Sequence, residues 1–506
     1  MSANPVLYQR PQIRQIRMST RREPTRRGGW NTGTYVKIYL GLIGACGLLL
    51  SVFSPAVALI LSGILIGAPL LALGIVEARR DSLWLNPMSL FLVYLGTQLG
   101  PAAVWEGTKL ITDGSLNFPS LRIPAADIAT GYFLTLVGTC AMSLGLRAFR
   151  PTPGSQARPT GWKPHWIFVL FVVGIAATYR PSAFLFLGVF GGVLQCGCMA
   201  VLLAFAFSRT DGRNLASEKL LFSAGVLIYV AACFFGDNSS KSYTMLAFLP
   251  VIVLLVRHQK YRKWIPAGSF FLAVLYLGIV APAVNNSRSL KGKDSYQKLM
   301  TGLYSASPFY TDKPLLLSMQ DQLDQFMGRV FEMPQVAGFM VNEVRRSGFQ
   351  LGGTMNNLYY ALVPRIVWAG KPLVSRGAWF TTYLQMAPRE EEATTSTGMT
   401  IVGEWYWNFG VTGVVVGMFL TGLLLSGLWR MAGSYPIHQP ANMVLYVAII
   451  INVLNLPDAT SPIVSAIALY LLFGSVIYLS KSGQKMATPL RLPNMRRLVM
   501  NGADRF

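Results

Sequence analysis

Twelve apolar runs, separated by mostly short polar links, leave this chain few ways to fold. They lie near 36–54, 57–76, 84–105, 128–146, 165–178, 182–208, 220–236, 242–256, 265–283, 409–429, 441–456 and 463–479. At 1.5 Å per residue, helices of about 15 to 25 residues cross most of a bilayer's hydrocarbon core. In hydrocarbon every backbone polar group needs an internal partner, so such runs span as helices. With 52% hydrophobic and 13% charged residues in 506, the chain lies well outside soluble composition. The expected fold is therefore an all-α polytopic membrane protein of about 12 transmembrane helices. Its parts are a basic tail (1–33), a nine-helix membrane region (34–283), a large loop region (284–408), a three-helix membrane region (409–480) and a second basic tail (481–506). The opening residues are polar and arginine-rich without an apolar stretch, so the first span is expected to act as an uncleaved anchor. The weakest span is the fifth, which ends at Tyr179, Arg180 and Pro181, where a turn or a kink is expected.

Orientation follows from sorting the charges by side. One side, with both termini, holds 28 of the 44 Lys and Arg and 6 of the 21 Asp and Glu; the other holds 16 and 15. By the positive-inside rule both termini are cytoplasmic and the long polar stretch Asn285 to Asn408 faces outward. The formal net charge of +23 is then explained by topology and anionic lipid headgroups, and no nucleic-acid partner is expected.

Absences narrow the chemistry. His165, His258 and His438 all fall on the cytoplasmic side, so an outward site has no Ser-His-Asp triad and no histidine zinc site. The five cysteines sit inside spans as small apolar residues, and no metal or cofactor is expected. Cytoplasmic links of about 7 to 18 residues leave no room for a nucleotide-binding domain. No span carries a clear mid-membrane charge, which disfavours an ion-coupled transporter.

The outward stretch holds 12 Lys or Arg against 10 Asp or Glu. Guanidinium and ammonium groups there suit an anionic, phosphate-bearing ligand, although a self-paired solvated surface explains single loop lysines equally well. Residues Pro314 to Glu332 have helical apolar spacing, with Pro334 expected to end that helix and a second helix through Val341 to Arg346. Leu358 to Trp368 is apolar but too short to span, which fits a re-entrant or interfacial segment carrying Arg365 and Lys371 around Trp368. GEWYWNFG, Gly403 to Gly410, leads into the tenth span and sets Glu404 among Trp405, Tyr406 and Trp407 at the membrane surface. The aromatics suit either the interfacial belt or stacking on sugar rings, and an apolar setting would shift Glu404 toward general-base work.

LVPRIVWAGKP (Leu362 to Pro372), TGMTIVGEWYWNFGVTG (Thr397 to Gly413) and GDNSSKS (Gly236 to Ser242) resemble the Wzy-type oligosaccharide repeat-unit polymerases, within the wider O-antigen polymerase and ligase grouping. The resemblance covers roughly 236–462 and implies a GT-C-like membrane enzyme of the bacterial inner membrane. Such an enzyme works without metal and by inversion at the periplasmic face, passing a growing glycan from undecaprenyl pyrophosphate onto the next lipid-linked unit. A chain-length regulator and a flippase are the partners that reaction implies. Carried over by motif, Arg365 and Lys371 hold pyrophosphate, Glu404 orients or deprotonates the acceptor hydroxyl, and Lys241 stands where relatives have arginine. Arg180, Arg288 and Arg346 join the pyrophosphate set from charge and position, and Trp368 joins Trp405, Tyr406 and Trp407 as a sugar contact. A ligase that passes the glycan to another acceptor, or an exporter of lipid-linked glycan, remains open at this point.

Overall fold

The computed structural model describes residues 31–80, 86–118, 121–151, 163–187, 189–208, 216–235, 315–363, 366–368, 370–371, 376–390, 397–433 and 439–486, with 249–251, 253, 300 and 436. These residues are mostly helical. The chain runs through α1 (Thr32–Val52), α2 (Pro55–Ser62), a π-turn at Gly63–Gly67, α3 (Ala68–Arg80) and α4 (Pro87–Thr97). A second π-turn, Gln98–Ala102, leads into α5 (Ala103–Asp113), then a β-hairpin of β1 (Ser115–Phe118) and β2 (Leu121–Pro124), and α6 (Ala125–Ala148). Next come α7 (Pro164–Tyr179), α8 (Val189–Ser208) and α9 (Ala216–Phe235). After a gap in the description follow α10 (Leu315–Val330), α11 (Glu332–Ser347), α12 (Leu358–Ala361), α13 (Arg376–Tyr383), α14 (Ile401–Ala432), α15 (Pro440–Leu454) and α16 (Thr460–Met486).

Among the described residues, six helical stretches are long and apolar enough to cross a membrane: Thr32–Val52, Pro55–Ala78, Pro87–Asp113, Ala125–Ala148, Phe190–Phe207 and Ile401–Ala432. Four shorter apolar helices, His165–Tyr179, Leu220–Cys233, Pro440–Leu454 and Thr460–Ser475, coincide with other expected spans. The expected span near 265–283 lies outside the described residues, and the one near 242–256 almost wholly so. Large apolar side chains point outward along α1, α7 and α9, among them Leu40, Leu48, Phe168, Leu220 and Leu227. An apolar exterior on an apolar chain is what a lipid environment selects.

Several local expectations are corrected. The third span does not stop near 105, because Pro101, which cannot donate to the helix ladder, sits in a π-turn and the helix resumes to Asp113. Beyond it, Leu116 pairs with Ile123 in the antiparallel hairpin, a small sheet in an otherwise helical protein. The fifth span ends in a turn, since Pro181 opens a 3₁₀ segment, Pro181–Leu187, rather than a continued kinked helix. Pro334 does not end a helix: α10 stops at Val330, and Pro334 lies in the first turn of α11, where a missing N–H costs nothing.

Helix α6 is buried along most of its length, with α11 and α14 packed on it. The approach of α11 depends on two facing glycines. A Cβ on Gly131 would come within 2.2 Å of the Pro334 carbonyl oxygen, and one on Gly338 within 2.8 Å of the Asp127 carbonyl oxygen. Small residues bring helix backbones together where no water drives their association. The apolar face of α11, including Val336, Phe339 and Met340, is thereby buried as a wall of the bundle. At this end Arg345 pairs with buried Asp127 at 2.6 Å. At the far end of α6, buried Glu77 takes a hydrogen bond from the Tyr35 hydroxyl and a salt bridge from Arg150 at 2.7 Å.

Candidate functional site

The site is built on a broken helix. Gly410 inside α14 has φ 65° and ψ −154°, a region open in practice to glycine alone. It divides the element into a short arm, 401–409, and a long arm, 411–432. A Cβ on Gly417 would fall 2.2 Å from the Trp405 ring and one on Gly413 2.5 Å from the Trp405 carbonyl oxygen. The two arms therefore fold toward each other and do not form one rod. The expected tenth span, 409–429, corresponds to the long arm.

A break of this kind leaves carbonyls without helix donors. The segment after α11 supplies them: Gln350 N–H donates to the Trp407 carbonyl at 3.0 Å and Leu351 N–H to that of Asn408 at 3.2 Å. Gly352 N–H donates to Asn408 Oδ1 at 2.8 Å. The short arm begins at Thr400, held at φ 55° with its N–H on the Pro457 carbonyl (2.8 Å), while its Oγ1 accepts from Gly403 N–H (3.2 Å).

Glu404, on the short arm, is fully buried. Its Oε1 accepts from Thr354 Oγ1 at 2.7 Å and from Arg376 Nη2, and its Oε2 accepts from Ala459 N–H at 2.8 Å. Arg376, at the start of α13, also donates from Nη1 to the Thr354 carbonyl and, at 3.2 Å, to Asn357 Oδ1. Asn408, one turn after Glu404, donates to Thr354 Oγ1 at 2.7 Å. Asn357 donates to Thr460 Oγ1 at 3.3 Å, and Asp458 accepts from Thr460 Oγ1 (2.9 Å) and Ser461 N–H (2.6 Å). One polar network thus ties the short arm, the 350–357 segment, α13 and the turn before α16. One donor in it is left over: the buried Arg376 Nε has no partner among the described residues. Leaving such a donor unmade costs about 1–3 kcal/mol.

Aromatic rings lie beside the arginine. Trp379, one turn along α13, stacks on Tyr383 at 5.8 Å, and Tyr383 is 5.1 Å from Trp407. The Tyr383 hydroxyl donates to Glu343 at 2.5 Å. Burial, followed by the Glu343 carboxylate, pushes that phenol well above its ordinary value.

The expected residues fare differently. Glu404 does not sit in an exposed aromatic belt; it is enclosed, and of its neighbours Trp407 is buried while Trp405 folds onto the long arm. Tyr406 packs edge-on against Phe349, and Trp368, partly exposed, against Tyr360. Lys371 is buried with Nζ on the carbonyls of Ala361 (3.0 Å) and Val363 (2.9 Å), so it braces the one-turn helix α12. Arg346 is exposed near the end of α11 and Arg180 caps α7, and neither bonds to Glu404. Arg365, Arg288 and Lys241 lie outside the described residues.

Arg376, Thr354, Asn357 and Asp458 were not anticipated. Nor was Asn408 anticipated, although a position four after Glu404 shares its helix face and could have been found that way. Arg376 reaches Glu404 across 28 positions of sequence, which no spacing rule reports.

Taken together, these features define a membrane-embedded helical protein with a buried carboxylate–guanidinium centre at one end of its bundle. No family model, curated protein or solved structure matches the chain.

Proposed function

We propose that this protein lengthens lipid-linked glycans at the outer face of the membrane, as the Wzy-type resemblance implies. The observation that carries the reading is the Arg376 guanidinium, fixed by buried Glu404 and left with an Nε donor that has no partner among the described residues. A guanidinium with a donor to spare suits a phosphate oxygen, which accepts several charge-assisted hydrogen bonds. Transfer from a lipid pyrophosphate needs that kind of help more than it needs covalent catalysis: the acceptor hydroxyl attacks the anomeric carbon, the bond to the phosphate oxygen breaks, and charge builds on the leaving group. Fixed donors in a dry site stabilise that charge.

Glu404 then has two parts in sequence. Unliganded, it holds Arg376; as phosphate draws the guanidinium away, Oε1 becomes available to take the acceptor proton. Trp379 and Tyr383 offer ring faces for sugar beside it, in place of the expected Trp405 and Tyr406. Arg365 remains a candidate second phosphate ligand by motif.

The test is reconstitution in liposomes with undecaprenyl-pyrophosphate-linked repeat units. Longer lipid-linked chains support the polymerase, and their loss in Arg376→Ala and Glu404→Gln at unchanged protein level supports the site. Transfer of preformed chains to a different acceptor indicates a ligase. Movement of the lipid across the bilayer without elongation indicates an exporter and rejects the enzyme.

A further inference from the structure

A cavity of about 240 Å³ lies between α8, α15 and α16, on the turn that carries Ala459. Its deeper wall includes buried Cys196 and Ala448, while Asn452, Asn455, Ser461 and Ser465 bring amide and hydroxyl groups to it. Asn455 and Ser461 are exposed, so the polar side faces the opening. Asn452 Nδ2 is used internally, on the Ala448 carbonyl (2.8 Å) and Ser465 Oγ (3.0 Å), which leaves its Oδ1 as an acceptor. The side chain of Asn455 has no protein partner among the described residues.

None of the described residues lining this cavity is charged. Amides and hydroxyls over an apolar floor recognise a neutral, hydroxyl-bearing ring better than a phosphate. A space of about 240 Å³ is on the scale of one sugar ring and not of a chain. The turn between the cavity and the buried centre is stiff: Asp458 clamps Thr460 and Ser461, and Ala459 N–H is fixed on Glu404. A ring seated there would be registered against Glu404 through a few backbone atoms.

We infer that this cavity is a subsite for a neutral sugar of the incoming lipid-linked acceptor, separate from the cationic donor side at Arg376. The inference rests on the polymerase reading above and adds which substrate lies where. Ser465→Leu fills the space; Ser465→Ala keeps it open and controls for loss of the hydroxyl. In liposomes, with chain-bearing donor held fixed and single-unit acceptor varied, Ser465→Leu should raise the acceptor KM by about tenfold or more and leave the donor KM unchanged. Ser465→Ala should stay within about threefold of the parent, and both should retain the parent's size-exclusion profile. Equal effects on both KM values, or none on either, overturn the subsite. An effect of Ser465→Leu that disappears with a short-tailed acceptor of the same glycan assigns the cavity to the prenyl chain and also overturns it. Failure of the parent protein to elongate anything rejects the polymerase reading itself, which the variants cannot mimic.

Discussion

Removing one partner of a buried ion pair leaves the other charged and unsolvated, which costs about 3–5 kcal/mol, whereas replacing both with apolar groups is often neutral. Arg376→Met or Glu404→Leu alone should therefore lower the melting temperature in detergent, and the double variant should recover most of it. Elongation should remain absent in all three, which separates stability from function. Glu332 offers a test of burial. Its carboxyl is pushed above the usual carboxylate range by desolvation, against the opposing pull of Arg329. The folded state thus favours the neutral acid: the benefit is complete below the unfolded pKa and is lost as pH rises through the folded one. Glu332→Gln should melt at a higher temperature than the parent near pH 8 and show little difference near pH 4. Glu404 could be singled out from the sequence because a carboxylate beside a span lacks a topological purpose. Its partner could not, because Arg376 looks like any other loop arginine until the chain folds.

Two elements depend on glycine, for different reasons. At Gly410 the backbone angles are the requirement, and Gly410→Ala should cost about 1–3 kcal/mol in unfolding while its methyl meets only the Phe349 ring at 3.3 Å. At Gly338 the requirement is space, since a side chain would strike the backbone of Asp127 and Ile128. Gly338→Val should separate α11 from α6 and abolish accumulation of folded protein, measured by fluorescence-detected size exclusion. The apolar stripe of α11 was readable as helical spacing, but its ends were not. Proline signals a break by default, and only the position of Pro334 within the first turn makes it harmless. The break in α14 was invisible for a related reason: glycine inside an apolar run is common in spanning helices, and neither arm of the sequence departs from helical composition.

For the molecule as a whole, hydropathy was the legible part, because long apolar runs have few alternatives to helix. The hairpin 115–124 was not legible because its strands are only four residues each, and the folded-back arm 401–409 was not because its carbonyls are paired by amides of a distant segment. The expected orientation rests on charge alone and is open to direct measurement. Arg346 is exposed near the end of α11, and all five native cysteines are buried. Arg346→Cys should react with a membrane-impermeant maleimide added outside intact cells, with no labelling of the parent; reaction only after lysis would invert the topology. The break at Gly410 also bears on how the protein is made. Gln350 and Leu351 leave the ribosome before Trp407 and Asn408, whose carbonyls their amides satisfy. Donors already synthesised when the bent helix forms spare it an interval with unpaired carbonyls, so the order of synthesis is itself suited to the bend.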